Sequence, residues 1–199
     1  MRYFIGLDLS PADKLALEHW RDKSLPEMAH NKPPARSKQP ERRLRPVPVA
    51  NYHITLCFLG SISPRQMEPL CEHLDDISAP PFEVTLDSTG YWSGPKIFHA
   101  CPTVIPAPLV QLASLTHSAA RQAGISVERR EYRPHVTLIR NVKNDFPPPL
   151  FPPQITCRFT QFHLFESVSG HSGVHYPVRH SWSLLGGNSI REKLLRGHF

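Results

Sequence analysis

Residues 51–60 read Asn-Tyr-His-Ile-Thr-Leu-Cys-Phe-Leu-Gly, and residues 133–140 read Arg-Pro-His-Val-Thr-Leu-Ile-Arg. Both stretches contain a His-x-Thr-Leu motif, at residues 53–56 and again at residues 135–138. The two histidines are 82 positions apart (135 − 53 = 82), so each half of the chain carries one copy. We therefore expect a single site between two halves, in which one histidine gives a proton and the other takes one.

The composition predicts a globular protein in a reducing compartment. The chain has 199 residues, 40% of them hydrophobic, which is enough for one large domain or two small interlocked ones. Its apolar runs are shorter than the ~18 residues of a membrane helix, so no membrane span is predicted. Residues 1–9 alternate and include an acid, which favours a first strand over a signal peptide. The four cysteines form no Cys-x-x-Cys pair, which favours reduced thiols in the cytoplasm.

The charge balance favours an anionic partner. Lysine and arginine total 23 against 17 acidic residues, a net charge of +6, which suits RNA, nucleotides or a membrane surface. A loop at residues 31–48 is rich in proline and basic residues, and it either steers RNA phosphates or is a solvated linker. Its basic residues are Lys32, Arg36, Lys38, Arg42, Arg43 and Arg45.

The hydrophobic pattern predicts an α+β duplication built from short elements. Ser-Pro pairs at residues 10–11 and 63–64 are typical of helix starts, and Gly124 of a helix end. The predicted helices begin at these two pairs and a third covers 109–123; strands are predicted at 1–9, 51–59, 82–86, 96–101, 135–139, 158–165 and 180–185, and a turn at 90–95. Prolines, 22 in number, concentrate in the connections, which leaves little room for long helices.

Each motif carries groups suited to phosphoryl chemistry. Residues two apart in a strand point to one face, so His53 projects with Thr55 and His135 with Thr137. Imidazole exchanges protons near neutral pH, and a hydroxyl can donate to a phosphate oxygen. A single histidine in an apolar strand is more often a core residue, but two matched copies favour catalysis. Together they suit metal-free cleavage of a cyclic phosphodiester.

The other histidines predict no metal site. His171 and His175 are four positions apart, but Gly170, Gly173 and Pro177 oppose the helix that would align them. The remaining histidines are assigned to surface or core positions. We therefore predict neither a metal nor a cofactor.

These motifs resemble those of the 2H phosphoesterases, and their flanks resemble the RNA 2′,3′-cyclic phosphodiesterases, also called 2′-5′ RNA ligases. The likeness covers nearly the whole chain, including residues 2–8 and a closing hairpin at 165–167 and 173–176. It implies a single domain over residues 1–199 with a bilobal, duplicated LigT-like α+β fold. In that fold, two antiparallel sheets line a central groove and the helices lie outside.

The resemblance also implies a reaction and a role for each motif residue. The family opens a 2′,3′-cyclic phosphate at an RNA 3′ end to a 2′-phosphomonoester. Carried onto this chain, His53 would be the proton donor to the leaving 3′-oxygen and His135 the acceptor that activates water. Thr55 and Thr137 would bind the phosphate oxygens. The direction of proton transfer comes from the resemblance, since the motifs themselves are symmetric.

Two further residues stand five positions after the histidines. The family suggests that Phe58 and Arg140 stack on either side of the terminal base, as suits single-stranded RNA. Strict alternation opposes this because an odd offset points them away from the histidine face, unless a bulge or the strand's end re-aims them. The alternatives are a core phenylalanine and a solvated arginine.

The expected partner is RNA with a 2′,3′-cyclic phosphate end or a cyclic nucleotide. We expect a cytoplasmic monomer with no obligate protein partner, and the resemblance adds a reversible 2′-5′ RNA ligase activity. One alternative is a phosphodiesterase for small cyclic nucleotides or 2′-5′ oligonucleotides. Another is a non-catalytic RNA-binding module on the same fold, although such a module need not keep both an acid and a base.

Overall fold

The computed structural model describes residues 2–25, 44–128, 130–142, 146–170 and 173–185. The helices are α1 (Pro11–Ser24), α2 (Pro64–Asp75) and α3 (Ala107–Gln122). The strands are β1 (Arg2–Asp8), β2 (Arg45–Pro46), β3 (His53–Ser61), β4 (Phe82–Leu86), β5 (Ser88–Trp92), β6 (Ile97–Cys101), β7 (Val136–Arg140), β8 (Ile155–Phe159), β9 (Gln161–Gly170), β10 (Gly173–His175) and β11 (Val178–Ser183). His171 and most of the predicted basic loop, up to Arg43, lie outside the described residues.

The strands of the described residues form three antiparallel sheets. The first has the order β10-β9-β1-β3, with β11 also paired to β9, and the second has the order β2-β7-β6-β5. Strands β4 and β8 pair separately as a third, two-stranded sheet. The predicted α+β class with two main antiparallel sheets is confirmed, and the third sheet is an addition to it. Each main sheet carries one His-x-Thr motif, on β3 or at the start of β7.

The first two helices begin where the sequence predicts, and the third begins two residues earlier than predicted, at Ala107. Ser10 caps α1, since its hydroxyl oxygen accepts a hydrogen bond of 3.1 Å from the backbone N–H of Asp13. Ser63 opens α2 in a capping box with Gln66. Helices α2 and α3 pack against each other, and α3 also packs on β3, behind the first motif. No helix in the described part of the chain is long and apolar enough to cross a membrane.

Two predicted elements are wrong. The stretch 90–92, predicted as part of a turn, lies in strand β5, because it pairs with β6 along its whole length. The strand predicted over 158–165 is two strands, since β8 pairs with β4 whereas β9 pairs with β1. Local pattern could not show either result because both depend on partners distant in sequence.

The core lies between the sheets and the helices. Leu70 and Leu74 of α2 and Leu109 and Leu112 of α3 are fully buried in it. All four cysteines are free, so no disulfide supports the fold. Strands β3 and β7 contact each other directly, which brings the two motifs to one place.

Candidate active site

The two motif segments have the same pattern of burial. In residues 53–58 and in residues 135–140 the histidine and the threonine are partly buried, and the residue between them is fully buried. Two consecutive buried residues then follow, and an exposed residue ends each segment. Two buried neighbours break the strict alternation of a strand. The two segments therefore match in burial and strand pattern as well as in motif sequence.

A β-bulge causes this break in both strands. In the motif segment of β3 the residue without a partner on β1 is Leu56, and Leu59 is skipped in the same way farther along the strand. In β7 the residue without a partner on β6 is Leu138. Because the extra residue shifts the alternation by one, Phe58 and Arg140 return to the histidine face despite their odd offset. The sequence allowed these two residues to face the histidines only if a bulge or the strand's end re-aimed them, and a bulge is present in both strands.

Other parts of the chain satisfy both bulge carbonyls. The Leu56 carbonyl accepts a hydrogen bond of 3.0 Å from Nε2 of His117 on α3. The Leu138 carbonyl accepts one of 2.8 Å from the backbone N–H of Val47. The first bond comes from a helix side chain, and the second continues the pairing of β2 with β7, so neither carbonyl is left without a donor.

Both motif histidines are held by the same kind of hydrogen bond. Nδ1 of His53 lies 2.7 Å from the Asn51 carbonyl oxygen, and Nδ1 of His135 lies 2.9 Å from that of Arg133. A carbonyl only accepts, so Nδ1 carries the hydrogen in each ring. Nε2 is therefore the atom left for chemistry, as a base in the neutral ring and as an acid in the imidazolium.

Aromatic rings surround His53. Its ring centroid lies 4.7 Å from that of Phe4, 5.9 Å from that of Phe165 and 5.1 Å from that of Tyr176. Burial lowers the pKa of His53 to about 4, against the opposing effect of the Asn51 hydrogen bond. The positive charges of His135, Arg140 and Lys14 lower this pKa further.

His135 has different neighbours. Its ring centroid lies 4.5 Å from the Trp92 ring and 5.3 Å from the His99 ring, and both contacts are edge-on. Burial is the main cause that lowers the pKa of His135, and the charges of Arg130 and Arg140 add to it. Arg140 thus acts on both histidines, which places all three side chains in one electrostatic environment.

A cavity of about 420 Å³ opens beside these groups. Three predicted residues line it: Thr55, Phe58 and His135. The guanidinium carbon of Arg130 lies 6.0 Å from the centre of the Phe58 ring, within the range of a cation–π contact. The loop before the second motif therefore places an arginine over Phe58, which sequence analysis did not foresee.

Sequence reasoning missed several residues around the two histidines. They are Phe4, Trp92, His99, Arg130 and Tyr176. The rings on β5 and β6 join the site only through strand pairing, so no spacing in the sequence signals them. Within the described ranges, no group of three or more His, Cys, Asp and Glu side chains is arranged to hold a metal ion.

We expect the ring of His53 to stay neutral at neutral pH in the free protein. Because burial disfavours the imidazolium, its proton titration should have a midpoint near pH 4, and that of His135 should lie below the ordinary value. NMR of the ring Cε1–H resonances measures both midpoints. A His53 midpoint at or above the ordinary imidazole value would contradict the assignment.

The chain is similar to several known proteins. Residues 33–98 match the model of the LigT-like phosphoesterase family. The crystal structure of Escherichia coli LigT complexed with 3′-AMP is 30% identical, with a TM-score of 0.78, over 92% of this chain and 97% of that one. The chain belongs to the LigT-like phosphoesterase family.

Further relatives agree with this membership in the LigT-like phosphoesterases. An RNA 2′,3′-cyclic phosphodiesterase of Escherichia coli (strain K12) is 29% identical over 185 residues, or 92% of this chain and 96% of the relative. A crystal structure described as a phosphoesterase is 29% identical with a TM-score of 0.80, over 92% of this chain and 98% of that one. The likeness therefore extends over both main sheets.

Proposed function

We propose that this protein is an RNA 2′,3′-cyclic phosphodiesterase. The observation that carries the proposal is the matched tethering of two imidazoles, each by Nδ1 to a carbonyl two residues earlier. They stand at the starts of β3 and β7, which contact each other. This leaves two Nε2 atoms free in one electrostatic environment, as a reaction with one acid and one base requires. The Escherichia coli (strain K12) relative, which the likeness covers over 96% of its length, has this activity in its name.

The proposed reaction transfers one proton at each end of the displaced bond. His135 takes a proton from water through Nε2 while the water oxygen forms a bond to phosphorus. The bond between phosphorus and the 3′-oxygen of the ribose breaks, and Nε2–H of His53 protonates that oxygen. The product is a 2′-phosphomonoester with a free 3′-hydroxyl. Thr55 and Thr137 donate hydrogen bonds to the non-bridging oxygens, where negative charge develops.

The donor role of His53 depends on the bound substrate. In the free site burial and nearby positive charge keep this ring neutral. A bound phosphodiester brings a negative charge, which favours the imidazolium and offsets the repulsion from Lys14 and Arg140. We infer that substrate binding and protonation of His53 are linked, so that the acid forms where its proton is needed.

The terminal base is assigned to the cavity beside His135. Phe58 is 51% exposed there, so its ring is open to stacking. Arg130, which lines the cavity and lies over Phe58, supplies a guanidinium plane there. Arg140 does not line the cavity, and its proposed contact with the base depends on the bulge that returns it to the histidine face. The net charge of +6 suits a single-stranded RNA end. We further propose a cytoplasmic monomer that works without metal, cofactor or an obligate protein partner.

Product analysis tests the proposal. The protein is incubated with an oligoribonucleotide that ends in a 2′,3′-cyclic phosphate, in excess chelator, and the new end is identified by chromatography against 2′- and 3′-phosphate standards. We expect a 2′-phosphate. A 3′-phosphate would contradict the assigned leaving group, and no turnover would contradict the activity. Turnover of a mononucleotide 2′,3′-cyclic phosphate alone would favour a small cyclic nucleotide as substrate.

A further inference from the structure

A third histidine lies directly behind the second motif. His99 is on β6, the neighbour of β7, and its backbone position pairs with Thr137. Paired residues of an antiparallel ladder point to the same side, so His99 faces the side that carries the motif hydroxyl. It is 4% exposed, which is unusual for a histidine. The residue therefore belongs to the interior of the site.

The neighbouring strand leaves space for this ring. Gly90 on β5 pairs with His99, and a Cβ atom at position 90 would lie 2.6 Å from Nε2 of His99. No real side chain fits at that distance, so Gly90 is needed to seat the imidazole where it is. Trp92 covers another side of the ring, with 4.4 Å between the centroids.

The rings of Trp92 and His99 form one packed group with that of His135. Trp92 lies 4.5 Å and His99 5.3 Å from the His135 ring, both edge-on, and Trp92 and His99 also contact each other. Edge-on contacts fix the rotation of a ring as well as its position. The Arg133 carbonyl holds only one atom of His135, so this group is what restricts the ring's remaining rotation.

The first motif has no such imidazole. Thr55 pairs with Gly6 on β1, and Gly6 pairs with His163 on β9. A Cβ atom at position 6 would lie 2.8 Å from the Ile54 carbonyl oxygen and 3.4 Å from the Phe165 ring, so this place is already filled. His163, the histidine of this sheet, is thus one strand farther from its motif than His99 is from the second motif. Nδ1 of His163 lies 2.9 Å from the Ser181 hydroxyl oxygen, in a hydrogen bond.

We propose that His99 is a positioning residue for His135, whose ring it holds so that Nε2 presents to the attacking water. His99 positions His135 through the shape of its neutral ring and not through a charge. Burial lowers the pKa of His99 to about 4, and a charge on His135 lowers it further, so His99 adds no positive charge beside the base. Its Nδ1 has no hydrogen-bond partner among the described residues, so no described group recruits it as a proton relay.

Kinetics of three variants test this role, which rests on the proposed function. His99→Ala should lower kcat by roughly 10–100-fold with little change in KM, because the base is misplaced while the substrate contacts remain. His99→Phe keeps a ring of similar shape and should restore most of kcat. His180→Ala, which removes an exposed histidine on β11, should match the wild type. Equal losses in the Ala and Phe variants, or a loss confined to KM, would overturn the proposal.

A substitution on the neighbouring strand gives an independent test. Gly90→Ala displaces the His99 ring without removing any imidazole, so it should also lower kcat. Added to His99→Ala it should cost nothing more, because the clash is gone. Additive losses would reject the link between these two positions.

NMR separates positioning from stability and from the proposed activity. Water entering the space left by His99→Ala should raise the pKa of His135 toward its ordinary value, whereas His99→Phe should leave it low. The charged neighbours Arg130 and Arg140, and His53, are unchanged in both variants. This titration needs no turnover, so a wild type inactive on cyclic phosphate would refute the proposed function alone. An unmoved His135 titration in folded His99→Ala would refute the positioning role.

Discussion

Replacing either motif histidine is expected to remove most of the turnover of a 2′,3′-cyclic phosphate. His53→Ala removes the proton donor and His135→Ala the acceptor, and each general acid–base contribution is worth roughly 10²–10⁴-fold. Because both act in one displacement, the double variant should be little slower than the slower single variant. Steady-state kcat on a cyclic-phosphate oligonucleotide measures all three.

The two histidine variants should also differ in whether an activated substrate restores their lost turnover. A substrate analogue with a good leaving group in place of the 3′-oxygen needs no acid, so it should restore turnover to His53→Ala and not to His135→Ala. The reverse pattern would exchange the two roles, and equal recovery in both would reject the division into donor and acceptor. His180→Ala is the matched control, since its ring is exposed and contacts Trp182.

The motif threonines should give the second largest effect. Thr55→Val and Thr137→Val keep the side-chain shape and remove the hydroxyl, so each variant loses one donor to the phosphate oxygens. Loss of a donor aimed at developing charge lowers kcat by about 10²–10³-fold. Both residues are partly buried at the site, and neither substitution leaves a cavity.

Thr85→Val is the matched control for the threonines. Thr85 shares a hydrogen bond of 2.9 Å with Thr156 on the separate β4–β8 sheet, away from both motifs. Its loss should lower stability slightly and leave kcat unchanged. A similar kcat in Thr55→Val, Thr137→Val and Thr85→Val would show that the motif hydroxyls do not bind the reacting phosphate. A change in KM alone would assign them to ground-state binding.

The bulges show why Phe58 and Arg140 could be named from the sequence but not placed. Their offset of five residues is visible in the chain, and ordinary alternation sends them to the wrong face. The residue that corrects this, Leu56 or Leu138, is set by pairing with β1 or β6. A bulge depends on the register between two strands, and the sequence of one strand does not specify that register.

The sequence pattern by itself predicted the duplication, the α+β class and the four motif residues, whereas the antiparallel arrangement came from the family resemblance. A repeated His-x-Thr in two apolar strands is visible locally because strand residues alternate with a period of two. The tertiary structure alone decided that Trp92 and His99 pack on His135, while Phe4, Phe165 and Tyr176 surround His53. These neighbours come from strands far apart in the chain and meet only through cross-strand pairing. For that reason two motifs that match in sequence have unlike surroundings.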